Sequence, residues 1–186
     1  PSYAREVVIG PMVEGLGPKA DPLLFQFPPL ELAAVGGPQG FAEKLHGFLA
    51  SLPVGPHYAV ELRNGRLLTP AYRQALLETG ATHCVNAHPT MPSPAEQLQR
   101  LGGFVGRSVV VRWMLARPFS YAQAKQRYQA FDRLVDEDPT TRQSLAELCR
   151  QACADARQVT VIINNKAEGC APESVRRLAE AIVSED

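Results

Sequence analysis

Three charged residues sit at the ends of runs that are otherwise apolar. Glu61 and Arg63 close the run that begins at Tyr58, and Arg112 lies near the end of Ser108–Met114. A charge on a buried strand is costly unless it meets a partner, a ligand or water. Alternation along a strand puts Glu61 and Arg63 on one face, Val110 and Arg112 on one face, and Leu24 and Gln26 on one face. Two guanidinium groups suit bidentate recognition of a carboxylate or phosphate. A carboxyl such as Glu61 suits general acid or base work. We therefore take Glu61, Arg63, Arg112 and Asn164 as candidate catalytic residues. Gln26, Asn86, His88 and Asn165 are candidates for orienting a substrate. The same residues also read as a structural Glu–Arg network, and the sequence leaves both readings open.

The remaining chemistry-bearing residues point less sharply. His88 follows the run Thr82–Ala87 and is the histidine best placed for acid–base chemistry. His46 falls on a helix exterior and His57 in a proline-flanked turn, so neither is assigned a role. The four histidines show no metal-ligand spacing. Cys149 and Cys153 are four apart on a helix and share a face. With no second ligand pair at matching spacing, they read as two small core residues rather than half a metal site. The pairs Gly36–Gly37 and Gly102–Gly103 have no phosphate-binding fingerprint and read as loop punctuation. No metal is expected, and no cofactor is specified.

These candidates must be positioned by a regular scaffold. Five runs read as buried strands: Leu23–Phe27, Tyr58–Leu62, Thr82–Ala87, Ser108–Met114 and Val159–Asn165. Their near-continuous apolar character suits a parallel sheet. Helical periodicity lies between them, over Phe41–Leu52, Pro70–Thr79, Tyr121–Val135, a span from Thr140 or Thr141 to about Arg157, and a span from about Pro172. Val175, Leu178, Ala179 and Ile182 are expected to face inward on the last. Pro1–Lys19 reads as a helix interrupted near Gly10–Pro11, and Pro89, Pro92 and Pro94 predict an irregular loop. The alternation predicts a single parallel α/β domain over residues 1–186 with right-handed crossovers. Five strands do not close an eight-stranded barrel. Either strands are missing or the sheet is open and doubly wound.

Composition narrows the function classes. The chain has 186 residues, 19 Lys plus Arg against 19 Asp plus Glu, 45% hydrophobic residues and four cysteines. Zero net charge gives no global support for a nucleic-acid partner. No stretch is long and apolar enough to span a bilayer. The cysteine spacing is not that of a secreted disulfide scaffold, and the expected location is cytoplasmic. The expected partner is a small anionic ligand, and the oligomeric state is undetermined.

Several runs together carry a family resemblance. Leu23–Pro29 (LLFQFPP) resembles a signature of the DUF72 (YecE-like) family. FAEKLHGFLASLP from Phe41, YAVELR from Tyr58, VVVR from Val109 and INN from Ile163 follow in the family's order. The resemblance implies a (β/α)8 TIM-type barrel of which this chain supplies strands four to eight, with the N-terminal strands absent from it. It also implies a site at the C-terminal strand ends. The chain departs from the pattern at Asn64 and Met114, where the family commonly carries histidine. That loss of titratable groups favours weak or absent catalysis over an active acid–base site. Two functions are expected: an enzyme acting on a small anionic or sugar-like substrate, or a non-catalytic scaffold that binds a ligand, nucleic acid or partner.

Overall fold

The computed structural model describes residues 1–116 and 118–184. Five parallel strands, β1 (Leu23–Phe27), β2 (Tyr58–Leu62), β3 (Thr82–Ala87), β4 (Val109–Trp113) and β5 (Val159–Ile163), form one sheet in sequential order. Among the described residues seven α-helices alternate with them: α1 (Gly10–Leu16), α2 (Gly37–Ala50), α3 (Pro70–Thr79), α4 (Pro94–Leu101), α5 (Tyr121–Tyr128), α6 (Pro139–Ala154) and α7 (Ala171–Val183). Each consecutive pair of strands is joined by at least one helix, as parallel pairing requires.

The helices cover one face of the sheet. Leu23, Val60 and Leu62 join Phe41, Leu45 and Leu49 of α2 and Tyr72 and Leu76 of α3 in one apolar cluster. Val85, Val109, Val111 and Trp113 join Leu145 and Leu148 of α6 and Leu178 of α7 in a second. On the other face, Ala59, Cys84 and Val110 pack together with Leu24, and this cluster holds no helix residue. A doubly wound sheet reverses its strand order and carries helices on both faces. This sheet does neither.

Local signals explain most of the boundaries. Thr69 caps α3 by accepting from the Tyr72 amide, Pro70 occupies its first turn, and Gly80 closes it in the left-handed region at φ 68°. β1, β2 and β3 occupy the spans that the apolar runs predict, while β4 and β5 are each two residues shorter.

The structure departs from the sequence reading in further places, among them α2, which runs over Gly37–Ala50 and not Phe41–Leu52. The proline-rich stretch after β3 holds α4, because Ser93 and Glu96 form a reciprocal capping box and Pro94 sits in the first turn, where its missing N–H costs nothing. The expected helix Tyr121–Val135 ends at Tyr128. Ala130 and Phe131 turn at positive φ, and the Val135 and Asp136 amides bond to the Glu168 carbonyl at 2.8 and 3.2 Å. Tertiary hydrogen bonds thus override a helical pattern. Asp138, not Thr140 or Thr141, caps α6. Gly10–Pro11 does not interrupt the first helix, because a π-helical turn over Ala4–Ile9 leads directly into α1. On α7 the buried stripe runs through Ser174 and Leu178, leaving Val175 and Ala179 exposed. Cys149 is buried but Cys153 is exposed, so only the former is a core residue.

Candidate functional site

β2, β3 and β4 bring Glu61, Asn86 and Arg112 to the uncovered face near the strands' C-terminal ends. Register fixes this placement: Gln26 pairs with Glu61, Asn86 with Arg112, and Arg112 with Ile162. Arg63 follows β2 two residues after Glu61 and projects from the same side.

Glu61 is fully buried at 0% exposure and lies between two guanidinium groups. Arg63 Nη2 is 2.6 Å from its Oε1, a close ion pair that lacks the alignment of a hydrogen bond. Arg112 Nη1 donates to its Oε2. One carboxylate thus meets two cations, in a setting where unpaired charge is very costly. Adjacent strands are about 4.8 Å apart. To reach Glu61 on β2, the Arg112 side chain must cross β3 on the side where Cys84 and Asn86 project. Its side chain keeps 18% exposure and forms the accessible part of the cluster.

Asn86 is buried and locked from both ends. Its Nδ2 donates to the Leu62 carbonyl at 3.0 Å. Its backbone amide donates to Gln97 Oε1 at 3.2 Å, and its carbonyl accepts from Gln97 Nε2 at 2.6 Å. Four buried atoms of this cluster have no hydrogen-bond partner among the described residues: Arg63 Nη1, Arg112 Nε, Asn86 Oδ1 and Glu61 Oε1, the last held only by its ion pair to Arg63. Cys84 sits beside them. Burial, reinforced by the Glu61 carboxylate, pushes its thiol well above the usual range, so it is not a poised nucleophile.

The other candidates occupy different places. Gln26 is exposed on β1, next to Glu61 in register. Asn164 ends the β5 ladder, its amide donating to the Trp113 carbonyl, and its Oδ1 accepts from the Lys166 amide at 2.9 Å in a local turn. Asn165 Oδ1 accepts from the Ala171 amide at 2.8 Å and holds the start of α7. His88 Nδ1 lies 2.9 Å from Thr90 Oγ1, and its ring stands 6.5 Å from that of Tyr121. It lines a cavity of about 210 Å³ with Trp113, Asp138 and Thr141, on the helix side of the strand ends. The structure therefore gathers Glu61, Arg63, Arg112 and Asn86, with Gln26 beside them. It sets His88 and Asn165 apart.

Sequence reasoning missed three features. Gln97 pins Asn86 from α4, a helix hidden by its prolines. Glu168, in the loop after β5, is fully buried, pairs with Arg142 at 2.5 Å and accepts from the Asp138 amide at 2.7 Å. His57, read as a turn residue, is buried at the N-terminal strand ends. Its Nδ1 meets Asp21 at 2.6 Å, and its Nε2 meets Thr82 at 2.8 Å and Ser108 at 3.2 Å. Only the apolar flanks of His57 hinted at burial. No cluster of metal-ligating side chains occurs among the described residues. Nor is any described helix long and apolar enough to cross a membrane.

The family model for DUF72, a protein family of unknown function, matches residues 6–186. The chain belongs to the DUF72 family. No curated protein matches it. Its fold is similar to that of solved DUF72 proteins. One, from Enterococcus faecalis V583, superposes with a TM-score of 0.59 at 19% identity, over 95% of this chain and 65% of that one. Another, from Thermotoga maritima MSB8, gives 0.61 at 17% identity, over 92% and 62%. This DUF72 chain spans just under two thirds of their length.

Proposed function

We propose that this DUF72 chain forms the strand-four-to-eight arc of a (β/α)8-type barrel and binds a small anionic ligand at the C-terminal strand ends. Sequential parallel order and one-sided helical cover support the arc, since a barrel keeps its helices outside and side chains inside. The solved relatives' greater length leaves room for further strands.

The observation that carries the binding reading is the charge arrangement around Glu61. A single buried carboxylate faces two arginines, and each arginine keeps a buried N–H with no acceptor among the described residues. Glu61 holds the guanidinium groups in place, and a ligand anion supplies the second negative charge. Arg112, partly exposed, meets it first. Gln26 and Asn164 stand at the same strand ends as further polar contacts. Both Glu61 oxygens face cations, which suits a positioning group better than a proton carrier. That favours binding, or a reaction whose proton moves elsewhere, over catalysis through Glu61. Nucleic acid and protein partners fit less well, because the cluster is small and inward-facing.

Isothermal titration with small carboxylates and inorganic phosphate tests this reading. Wild-type protein should bind at least one of these anions, and Arg112→Gln should weaken that binding about tenfold or more, as expected for loss of a charge-assisted hydrogen bond. Equal binding by wild type and variant would remove Arg112 from the site.

A further inference from the structure

We infer that the ligand of this site is an α-hydroxy carboxylate, with Asn86 Oδ1 as the acceptor for its hydroxyl. This rests on the anion-binding reading of the Arg63–Arg112 cluster and adds the chemical class of the ligand.

The amide of Asn86 has one possible orientation. Its Nδ2 donates to the Leu62 carbonyl at 3.0 Å, so the amide cannot flip without setting oxygen against oxygen. Oδ1 is thereby fixed as an acceptor. It is buried, and no described residue donates to it. A buried acceptor left unsatisfied is costly, and Gln97 anchors the Asn86 backbone so that the side chain cannot swing away to find a donor.

Beside this acceptor stand donors of opposite character. Arg112 is the register partner of Asn86 on β4, and its Nε has no acceptor among the described residues. Arg63 Nη1, held by the ion pair to Glu61, also has none. Glu61 Oε1 is taken up by its ion pair with Arg63, so the cluster offers a ligand two cationic donors and one neutral acceptor. Acetate satisfies only the donors. A simple alcohol satisfies only the acceptor. A carboxylate with a hydroxyl on the adjacent carbon satisfies both, because its anionic oxygens and its O–H lie side by side.

Access runs through Arg112. Its side chain crosses β3 above Asn86 to reach Glu61, and it is the exposed member of the cluster. Entry of the ligand turns this guanidinium from Glu61 towards the incoming carboxylate, and the turn uncovers Asn86. Glu61 keeps Arg63 as its counter-ion throughout.

The test is an NMR titration of the full chain with glycolate, acetate, methoxyacetate and inorganic phosphate. It follows the Asn86 side-chain amide and the arginine Nε–H signals. Glycolate should bind about threefold to tenfold more tightly than acetate or methoxyacetate, the range for one added hydrogen bond. Each bound carboxylate should move the Asn86 signal as Arg112 turns away, and glycolate should move it furthest. Methoxyacetate keeps the ether oxygen but lacks the donor, so the comparison isolates the O–H. Asn86→Ala should erase the glycolate advantage while keeping acetate binding. The wild-type comparison stands on its own should that variant fail to fold. If acetate matches glycolate, or phosphate binds most tightly, the hydroxy-acid class is wrong and the anion site stands. If none of the four moves the arginine signals, the anion site itself is wrong.

Discussion

Replacing Glu61 by Gln removes the charge that Arg63 and Arg112 share while keeping the side chain's shape. Breaking a buried ion pair by deleting one partner costs about 3–5 kcal/mol, because the remaining charge is left unpaired. Here two charges lose their partner. Arg63 is 5% exposed and has little recourse to water, whereas Arg112 at 18% can turn outward. The glutamine oxygen still accepts from one guanidinium, but its NH2 opposes the other. These effects place the loss near the lower limit, at about 3 kcal/mol. For a domain of this size, that corresponds to a fall in Tm of about 6–12 °C. Urea denaturation followed by circular dichroism measures it, with an unchanged m-value expected. A loss below about 1 kcal/mol would mean that the arginines are solvated and that Glu61 does not hold them. The triple variant Glu61→Leu, Arg63→Met, Arg112→Met should recover most of the stability, since well-packed apolar residues can replace a buried ion network at no net cost. It should lose anion binding entirely. Together those two results would show that the network is kept for its ligand and not for the fold.

Three further outcomes follow from the geometry. Burial lowers the His83 pKa from its ordinary 6.5 to about 4, so below pH 6.5 the unfolded chain takes up a proton that the folded chain refuses. Stability should therefore fall by about 3 kcal/mol as pH drops from 6.5 to 4, and His83→Gln should flatten that limb in denaturation curves measured across the range. Gly106 has φ 105°, and a Cβ there would stand 2.3 Å from Thr82 Oγ1. Gly106→Ala should cost about 1–3 kcal/mol more than Gly55→Ala, whose glycine has φ 119° but open space around it. Ser93→Ala should cost about 1 kcal/mol in the same assay through loss of the α4 capping box, and a negligible change would mean that α4 is held by packing alone.

The strands were legible because each is a short apolar run bounded by turn residues, although only the inner strands are buried on both faces and β1 and β5 stay half-buried. Alternation along each strand suffices to place Glu61 with Arg63 and Val110 with Arg112. It could not reveal that Arg112 reaches across β3, because spacing within one strand says nothing about a neighbour two strands away. Helix α4 was hidden by prolines that break a helix interior but suit a first turn. The end of α5 was hidden because its cause is the Glu168 carbonyl, forty residues further on. His57 escaped for the same reason: Asp21, Thr82 and Ser108 come from segments far apart in sequence, and only the fold gathers them. Asn86 was named as a polar group at a strand end, but its fixed acceptor depends on Leu62 and Gln97.

The most direct test of the central claim is a crystal structure of the protein soaked in glycolate. The anion should lie at the C-terminal strand ends, its carboxylate within hydrogen-bond distance of Arg63 and Arg112 and its hydroxyl on Asn86 Oδ1. Arg112 should be turned away from Glu61. Glycolate bound only elsewhere, with both Glu61 ion pairs undisturbed, would contradict it.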